Sequence, residues 1–111
     1  APATLSPAAI RVIRDEIGFD GLLMTDDLSM RALDGTLAER ARRALGAGVD
    51  VALHCNGDPA EAAEVVSAAP ELAGRPAERA AAALALRGRV TGEDPAALDQ
   101  AFAELVARAH A

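Results

Sequence analysis

The chain has 111 residues, enough for one modest domain or for part of a larger one. Its net charge of −6 argues against nucleic acid or an anionic membrane surface as a partner. Alanine is abundant while Trp and Tyr are absent, so an independent hydrophobic core would be thin. No apolar run approaches the ~18 residues of a membrane-spanning helix. The single cysteine, Cys55, forms no intrachain disulfide and favours a reducing compartment.

A first helix is predicted to follow Ser6, since a serine at this position caps the free N–H groups of a helix start. Ile10, Ile13 and Ile17 are spaced three and four residues apart, which predicts one buried stripe. Gly18 is expected to end the helix in the left-handed conformation. The chain would then enter a strand directly.

The predicted strand covers residues 20–25 and contains a short unbroken apolar run, Leu22-Leu23-Met24, typical of a strand buried on both faces. Two carboxylates, Asp26 and Asp27, stand where this strand should end. In parallel α/β folds, ligands and chemistry gather at the carboxyl ends of strands. Asp26 is therefore the first candidate for a functional group. Taken alone, the spacing favours the simpler interpretation that both acids only form the loop.

A loop is predicted over residues 26–35, before the capping box that Thr36 and Glu39 form at the start of a second helix. The arginines of this helix, at positions 40, 42 and 43, are interpreted as a solvated face. Residues 49–55 predict a second buried strand, about one strand–helix unit after the first.

Three more helices are predicted downstream. Asp58 caps the first, whose inward face would carry Val65 and Val66. The second covers residues 77–89 and is rich in alanine. The third follows Asp94 and has an apolar stripe at helical spacing, formed by Leu98, Phe102, Leu105, Val106 and Ala109.

The order helix, strand, helix, strand and three helices predicts an α/β fold. Two parallel strands do not form a sheet that buries both faces, and a closed (β/α)8 barrel takes about 250 residues. Residues 1–111 are therefore predicted to be a single partial domain, the C-terminal portion of a TIM-type barrel with its last two βα units and C-terminal helices. Alone, this portion would expose Leu22, Met24, Val51 and Leu53 along unpaired edges.

Residues 18–30, GFDGLLMTDDLSM, resemble the nucleophile segment of family 3 glycoside hydrolases, and more narrowly that of the bacterial β-N-acetylglucosaminidases of that family. A second similar block covers residues 39–50 and continues through residues 51–56. Residues 2–6 fit the lead-in of the same family. The resemblance extends over residues 2–70 and is vague from residue 76 onward.

The resemblance implies a retaining glycosidase in which Asp26 is the nucleophile. A carboxylate needs no general base to attack at neutral pH. Asp27 is the second choice for the nucleophile, and its expected role is to form hydrogen bonds within the loop. Met30 matches a position that lines the sugar pocket, although an ordinary apolar plug under the loop is an equal alternative.

The resemblance also implies a substrate and partners. The parent would be an exo-acting enzyme that releases N-acetylglucosamine from muropeptides during peptidoglycan recycling in the cytoplasm, and the remainder of the barrel would pack on this chain. The family's general acid is a histidine on an earlier loop, and neither His54 nor His110 matches that position. The chain alone is therefore expected to be inactive, and His54 is interpreted as a packed or solvated strand-end residue.

No cofactor or metal site is predicted, since one cysteine and two distant histidines lack ligand spacing. Two other functions remain open. A phospho-accepting signalling domain also uses a strand-end aspartate, but it needs an earlier acidic pair and a later lysine, and this chain has neither. A non-catalytic scaffold or degenerate relative would keep the acids as loop formers only.

Overall fold

The computed structural model describes residues 2–88 and 92–109, which form a mixed α/β structure. A short 3-10 turn, Ala3–Leu5, precedes the regular elements. These are α1 (Pro7–Arg11) with a π-helical turn (Val12–Glu16), β1 (Met24–Asp27), α2 (Leu37–Ala47), β2 (Val51–Leu53), α3 (Pro59–Ala68), α4 (Gly74–Ala85) and α5 (Pro95–Ala109).

The first helix begins as predicted and then changes its winding. The Ser6 hydroxyl accepts a hydrogen bond from the Ala9 N–H at 3.3 Å. The Ile17 N–H donates to the Val12 carbonyl at 2.9 Å, a bond five residues back that widens the turn. The wider turn rotates the later residues, so Ile10 is buried while Ile17 is 70% exposed. The predicted stripe is thus wrong at Ile17.

The first strand lies later than predicted, at Met24–Asp27 instead of residues 20–25. It runs parallel to β2, and its register shifts between the pairs Met24–Val51 and Asp27–Leu53. The prediction that this strand is buried on both faces is also wrong, because Met24 is 51% exposed. Of the four residues expected to be exposed along unpaired edges, Met24 is exposed, whereas Leu22, Val51 and Leu53 are half-buried.

The Thr25 hydroxyl completes the strand pairing where the register shifts. It accepts a hydrogen bond from the Leu53 N–H at 2.8 Å, replacing a backbone carbonyl in the ladder. The Leu28 N–H then donates to the Leu53 carbonyl at 2.9 Å, just beyond the end of β1. The two strands therefore stay joined at their carboxyl ends despite the irregularity.

The core lies where α2 and α3 cover the strands and the loop after β1. Its buried members are Leu5, Leu28, Leu33, Ala41, Ala44 and Val65. Leu28 and Leu33 belong to the loop, and both are almost completely buried, at 0% and 2% exposure. On α3 the predicted inward face is only half correct, since Val66 is 71% exposed. Two leucines of the loop are therefore part of the core.

The last two helices lie on the outside of the described structure. α4 begins at Gly74, three residues earlier than predicted, and ends at Ala85. The start of α5 is as predicted, since the Asp94 carboxylate accepts a hydrogen bond from the Ala96 N–H at 3.1 Å. Every residue of α5 is exposed, including its apolar stripe, in which Phe102 is 66% exposed.

Candidate active site

The carboxyl ends of β1 and β2 meet at one edge because the strands are parallel. Asp26 and Asp27 are the last two residues of β1, and His54 directly follows β2. The strands therefore bring two acids and one histidine to the same edge. Asp26 was predicted to follow the strand; it lies within it, which fixes its backbone more firmly.

Asp26 is an exposed carboxylate with one oxygen held by the backbone. Its Oδ1 accepts a hydrogen bond from the Asp27 N–H at 2.8 Å. Its neighbours along the strand alternate in burial, with Thr25 buried and Asp26 facing outward. The side chain is thus presented to solvent by a paired strand. Its role as nucleophile stays a prediction.

Asp27 ties the loop to the end of β2. Its Oδ1 accepts from the Ser29 N–H at 3.0 Å and from the Cys55 N–H at 3.2 Å, and its Oδ2 accepts from the Ser29 hydroxyl. The Ser29 hydroxyl, and then the Ser29 N–H, lower the pKa of Asp27 below its ordinary value. The hydrogen bonding expected of Asp27 within the loop is present.

The loop after β1 is held from the other side by Arg40 of α2. Its guanidinium donates to the carbonyls of Leu28 at 2.7 Å and Met30 at 3.3 Å. The interpretation of Arg40 as part of a solvated face is therefore wrong, while Arg42 and Arg43 are exposed as expected. Met30 is half-buried in this loop, and its predicted place in a sugar pocket stays a prediction.

His54 is packed at the end of β2, in agreement with the packed alternative. Its side chain is 6% exposed and lies between two carboxylates. Its Nδ1 is 3.8 Å from Asp27 Oδ1, and its Nε2 is 3.4 Å from Glu61 Oε2 of α3. The other histidine, His110, lies outside the described residues.

The amino ends of the strands carry an ionic cluster that the sequence analysis missed. Asp50, which directly precedes β2, is buried with a 2% exposed side chain. Its carboxylate accepts from the Leu23 N–H at 2.8 Å, from Arg14 at 2.6 Å and from Arg79 of α4 at 3.0 Å. Arg79 also donates to Asp20 at 2.8 Å. An acid just before a buried strand was the available signal, because a buried carboxylate needs partners.

Burial alone would raise the pKa of Asp50. The hydrogen bonds from the Leu23 N–H, Arg79 and Arg14 outweigh burial, and the pKa of Asp50 lies below its ordinary value. Asp50 is thus held as a carboxylate that joins the π-helical turn after α1, the start of both strands and α4.

Across residues 2–88 and 92–109, no three His, Cys, Asp or Glu side chains are grouped as a metal ion would require. Within the same ranges, the helices are all too short or too polar to cross a membrane.

Residues 1–84 match the family model described as "Glycosyl hydrolase family 3 N terminal domain". This match covers most of the chain, which therefore belongs to glycosyl hydrolase family 3. The resemblance seen in residues 18–30 is confirmed.

The chain is similar to bacterial proteins named Beta-hexosaminidase. It is 41% identical to the Aromatoleum aromaticum protein over 91 residues, which are 79% of this chain and 24% of the relative. It is 47% identical to the Thioalkalivibrio sulfidiphilus protein over 58 residues, 50% of this chain and 16% of the relative. With the Vibrio cholerae protein it shares 48% identity over 48 residues, 41% of this chain and 14% of the relative. The chain thus spans a quarter or less of the length of these relatives.

Proposed function

We propose that this chain contributes the catalytic nucleophile, Asp26, to a retaining exo-β-N-acetylglucosaminidase. The observation that carries the proposal is the exposed carboxylate of Asp26 at the carboxyl end of a paired parallel strand. The family match and the relatives named Beta-hexosaminidase support a glycoside hydrolase. The segment that contains Asp26 is the one whose sequence resembles the family's nucleophile segment.

In this reaction an Asp26 oxygen attacks the anomeric carbon of the sugar. The bond from that carbon to the leaving-group oxygen breaks, and a general acid protonates the departing oxygen. An ester between Asp26 and the sugar results. Water then attacks the anomeric carbon, gives a proton to the same acid/base residue, and releases the sugar with its β configuration retained.

The geometry around Asp26 suits a group that must stay in place during two displacements. Because the Asp27 N–H donates to Oδ1 of Asp26, one oxygen and the carboxylate plane are restrained. Asp27 is in turn fixed by Ser29 and Cys55. A nucleophile on a strand end braced by such contacts loses little orientation between attack and release.

The acid/base residue of the proposed reaction comes from the rest of the barrel. His54 is a poor candidate because its ring is buried between Asp27 and Glu61. His110 lies outside the described residues. We therefore propose that the chain works as the last two βα units of a (β/α)8 barrel and that it does not hydrolyse glycosides alone.

The proposed substrate is a muropeptide that ends in N-acetylglucosamine, cleaved in the cytoplasm during peptidoglycan recycling. Met30 would contact the sugar from the loop after β1. Arg40 supports this assignment, because it binds the Met30 carbonyl and so fixes the backbone on which the side chain is carried. The substrate and the role of Met30 follow from the family resemblance.

The test is a chimera in which this whole chain replaces the aligned segment of the Aromatoleum aromaticum relative. The expected result is turnover of a chromogenic β-N-acetylglucosaminide, and Asp26→Asn should lower kcat by at least ~10³-fold. A mechanism-based fluorinated sugar should label the peptide that contains Asp26. Circular dichroism and thermal melting of the Asp26→Asn chimera check that it is folded.

Asp27→Asn is the matched control, since it changes the neighbouring acid in the same strand. It should weaken activity less and leave the label on Asp26. Wild-type turnover in Asp26→Asn together with loss in Asp27→Asn would move the nucleophile to the neighbour. If neither variant affects turnover, the acids only form the loop and the scaffold interpretation holds.

A further inference from the structure

Arg40 lies in the first turn of α2, and its guanidinium binds the backbone of the loop after β1. Its Nη1 donates to the Leu28 carbonyl at 2.7 Å and to the Met30 carbonyl at 3.3 Å. Its own N–H donates to the Thr36 carbonyl at 2.9 Å, at the start of the helix. One side chain thus joins the start of α2 to both ends of a three-residue segment, residues 28–30.

The same segment is also fixed on the side of the strands. The Leu28 N–H donates to the Leu53 carbonyl at 2.9 Å, and the Leu28 side chain is completely buried. The Met30 N–H donates to the Asp27 carbonyl at 3.3 Å, and the Met30 carbonyl also accepts from the Leu33 N–H at 3.2 Å. The segment is therefore a turn with contacts on the strand side, and the guanidinium supplies the contacts on the helix side.

The helix that carries Arg40 is itself anchored where this side chain leaves it. Thr36 and Glu39 form the capping box at its start. The Ala38 N–H donates to the Glu64 carboxylate of α3 at 3.0 Å. The position of the guanidinium is therefore set by α2 and α3 together, and the loop is tied to both helices through it.

This way of holding the loop has an unfavourable component. The Nε of Arg40 is buried and has no hydrogen-bond partner among the residues that the structure describes. A buried donor without a partner destabilises a fold, because its hydration is lost and not replaced. Local violations of this kind are expected at functional sites. One of the two carbonyls that Arg40 binds belongs to Met30, which follows Asp26 closely in the chain.

We propose that Arg40 is a positioning residue for the sugar, which holds residues 28–30 in place before the substrate arrives and acts on the substrate through Met30. The contact between Met30 and the sugar rests on the proposed function, whereas the hold on the loop stands on the two hydrogen bonds. Because Asp26 is restrained separately, by the Asp27 N–H, loss of Arg40 weakens substrate binding more than the attack by Asp26. The segment has its contacts already, so it binds the sugar without paying for its own ordering.

The first experiment follows the methyl groups of the two methionines by NMR in the 111-residue chain. Met24→Leu and Met30→Leu assign the two signals. Arg40→Leu should shift the Met30 signal, leave the Met24 signal in place, and accelerate hydrogen exchange of the Leu33 amide, whose acceptor is the Met30 carbonyl. An unchanged Met30 signal together with unchanged exchange at Leu33 would overturn the hold on the loop.

The second experiment is a double-mutant cycle in the chimera with the Aromatoleum aromaticum relative. Arg40→Leu should raise KM for the chromogenic β-N-acetylglucosaminide about tenfold and change kcat by less than about threefold. Met30→Ala should have a similar effect, and the double variant should be little worse than either, because both changes act through one contact. An unchanged KM in Arg40→Leu, or losses that add in the double variant, would overturn the positioning role.

Two controls separate positioning from a general loss of stability. Arg43→Leu removes an exposed arginine of the same helix and should keep the wild-type KM. Val65→Ala opens a cavity in the core, where Val65 is 6% exposed, and should lower the melting temperature of the chimera without raising KM. If Val65→Ala raises KM as much as Arg40→Leu does, the effect is one of stability and the proposal falls.

Arg40→Lys keeps the charge and a donor but loses the fixed geometry of the guanidinium. Its KM should lie between those of Arg40→Leu and wild type, and it replaces Arg40→Leu in the cycle if the leucine variant does not fold. A KM for Arg40→Lys above that of Arg40→Leu would contradict a role based on hydrogen bonds to the loop.

The two proposals fail in different ways. If Asp26→Asn remains active while Arg40→Leu raises KM through Met30, the positioning role stands and the assignment of the nucleophile falls. If Asp26→Asn is inactive while Arg40→Leu leaves KM unchanged, the nucleophile stands and the positioning role falls.

Discussion

The two ends of the strand pair use charge in opposite ways. At the amino ends, the carboxylate of Asp50 is buried and accepts from Leu23, Arg14 and Arg79. At the carboxyl ends, Asp26 is exposed and, among the residues that the structure describes, accepts one hydrogen bond, from the Asp27 N–H. The carboxylate of Asp50 is thus occupied by ion pairs and hydrogen bonds, whereas the carboxylate of Asp26 is exposed and accessible to another partner.

This difference separates the residues that stabilise the fold from those that are available for chemistry. A carboxylate surrounded by arginines and a backbone N–H is a weak nucleophile, because those donors stabilise its charge. An exposed carboxylate restrained at one oxygen remains accessible. The identity of an acid thus says less about its role than the end of the strand at which it stands.

Asp50→Asn is the change with the largest expected effect on stability. It removes the charge that Arg14 and Arg79 share and leaves two guanidinium groups at a poorly hydrated site. The free energy of unfolding of the 111-residue chain should fall by about 3 kcal/mol. Urea denaturation followed by far-ultraviolet circular dichroism measures it, since the chain lacks Trp and Tyr.

Asp26→Asn is the matched control for this prediction, because it makes the same chemical change at the opposite end of the strands. Its unfolding free energy should stay within about 0.5 kcal/mol of wild type. Equal losses of unfolding free energy in Asp50→Asn and Asp26→Asn would contradict the view that only the acid at the amino ends stabilises the fold.

Lowering the pH should reduce the free energy of unfolding, and part of this reduction should depend on Asp50. The pKa of Asp50 is below its ordinary value in the folded chain, so its stabilisation is complete above the unfolded value of about 3.9. That stabilisation is lost as pH falls through the folded pKa, because the unfolded chain takes up the proton more readily. Urea midpoints measured from near-neutral pH downward should therefore fall more steeply for wild type than for Asp50→Asn.

Asp27 also has a lowered pKa, so Asp27→Asn should remove part of the same acid dependence. Parallel curves for wild type and Asp50→Asn below the unfolded value would contradict the prediction for Asp50.

The elements that the sequence predicted well are those fixed by local rules. The Ser6 cap, the Thr36–Glu39 capping box and the Asp58 cap all depend on atoms within three residues of each other, and all are present. Each satisfies N–H groups that a helix start leaves unpaired, whatever the rest of the fold does.

The features that the sequence did not predict depend on distant partners. Arg40 was assigned to a solvated face, yet its acceptors are carbonyls of the loop ten and twelve residues away. Asp50 needs Arg14 and Arg79, which come from other helices. The position of β1 was missed because an apolar run marks burial, whereas strand pairing is set by the partner β2.

The candidate site likewise has features that the sequence predicted and contacts with distant partners that it did not predict. The sequence resemblance selected Asp26, and strand geometry alone predicted that it would stand at a carboxyl end. Nothing local indicated that His54 would lie against Glu61, because a lone histidine after a strand is compatible with a solvated position as well as a buried one.

Thr25→Val has the smallest expected effect and probes the connection between the two ends. Thr25 is 6% exposed, and its hydroxyl accepts from the Leu53 N–H at 2.8 Å where the register shifts. Valine keeps the shape but leaves that N–H without an acceptor, which should cost about 1.5 kcal/mol in unfolding free energy. Hydrogen exchange of the Leu53 amide should accelerate.

Thr25→Ser is the control, since it restores the hydroxyl and removes only a methyl group. It should recover slow exchange at Leu53 even if its stability is somewhat below wild type. Unchanged exchange in Thr25→Val would show that the hydroxyl is not the acceptor that joins the strands. If exchange accelerates at Leu53 and also at Leu28, whose N–H donates to the Leu53 carbonyl, then this one hydroxyl maintains the pairing up to the edge that presents Asp26.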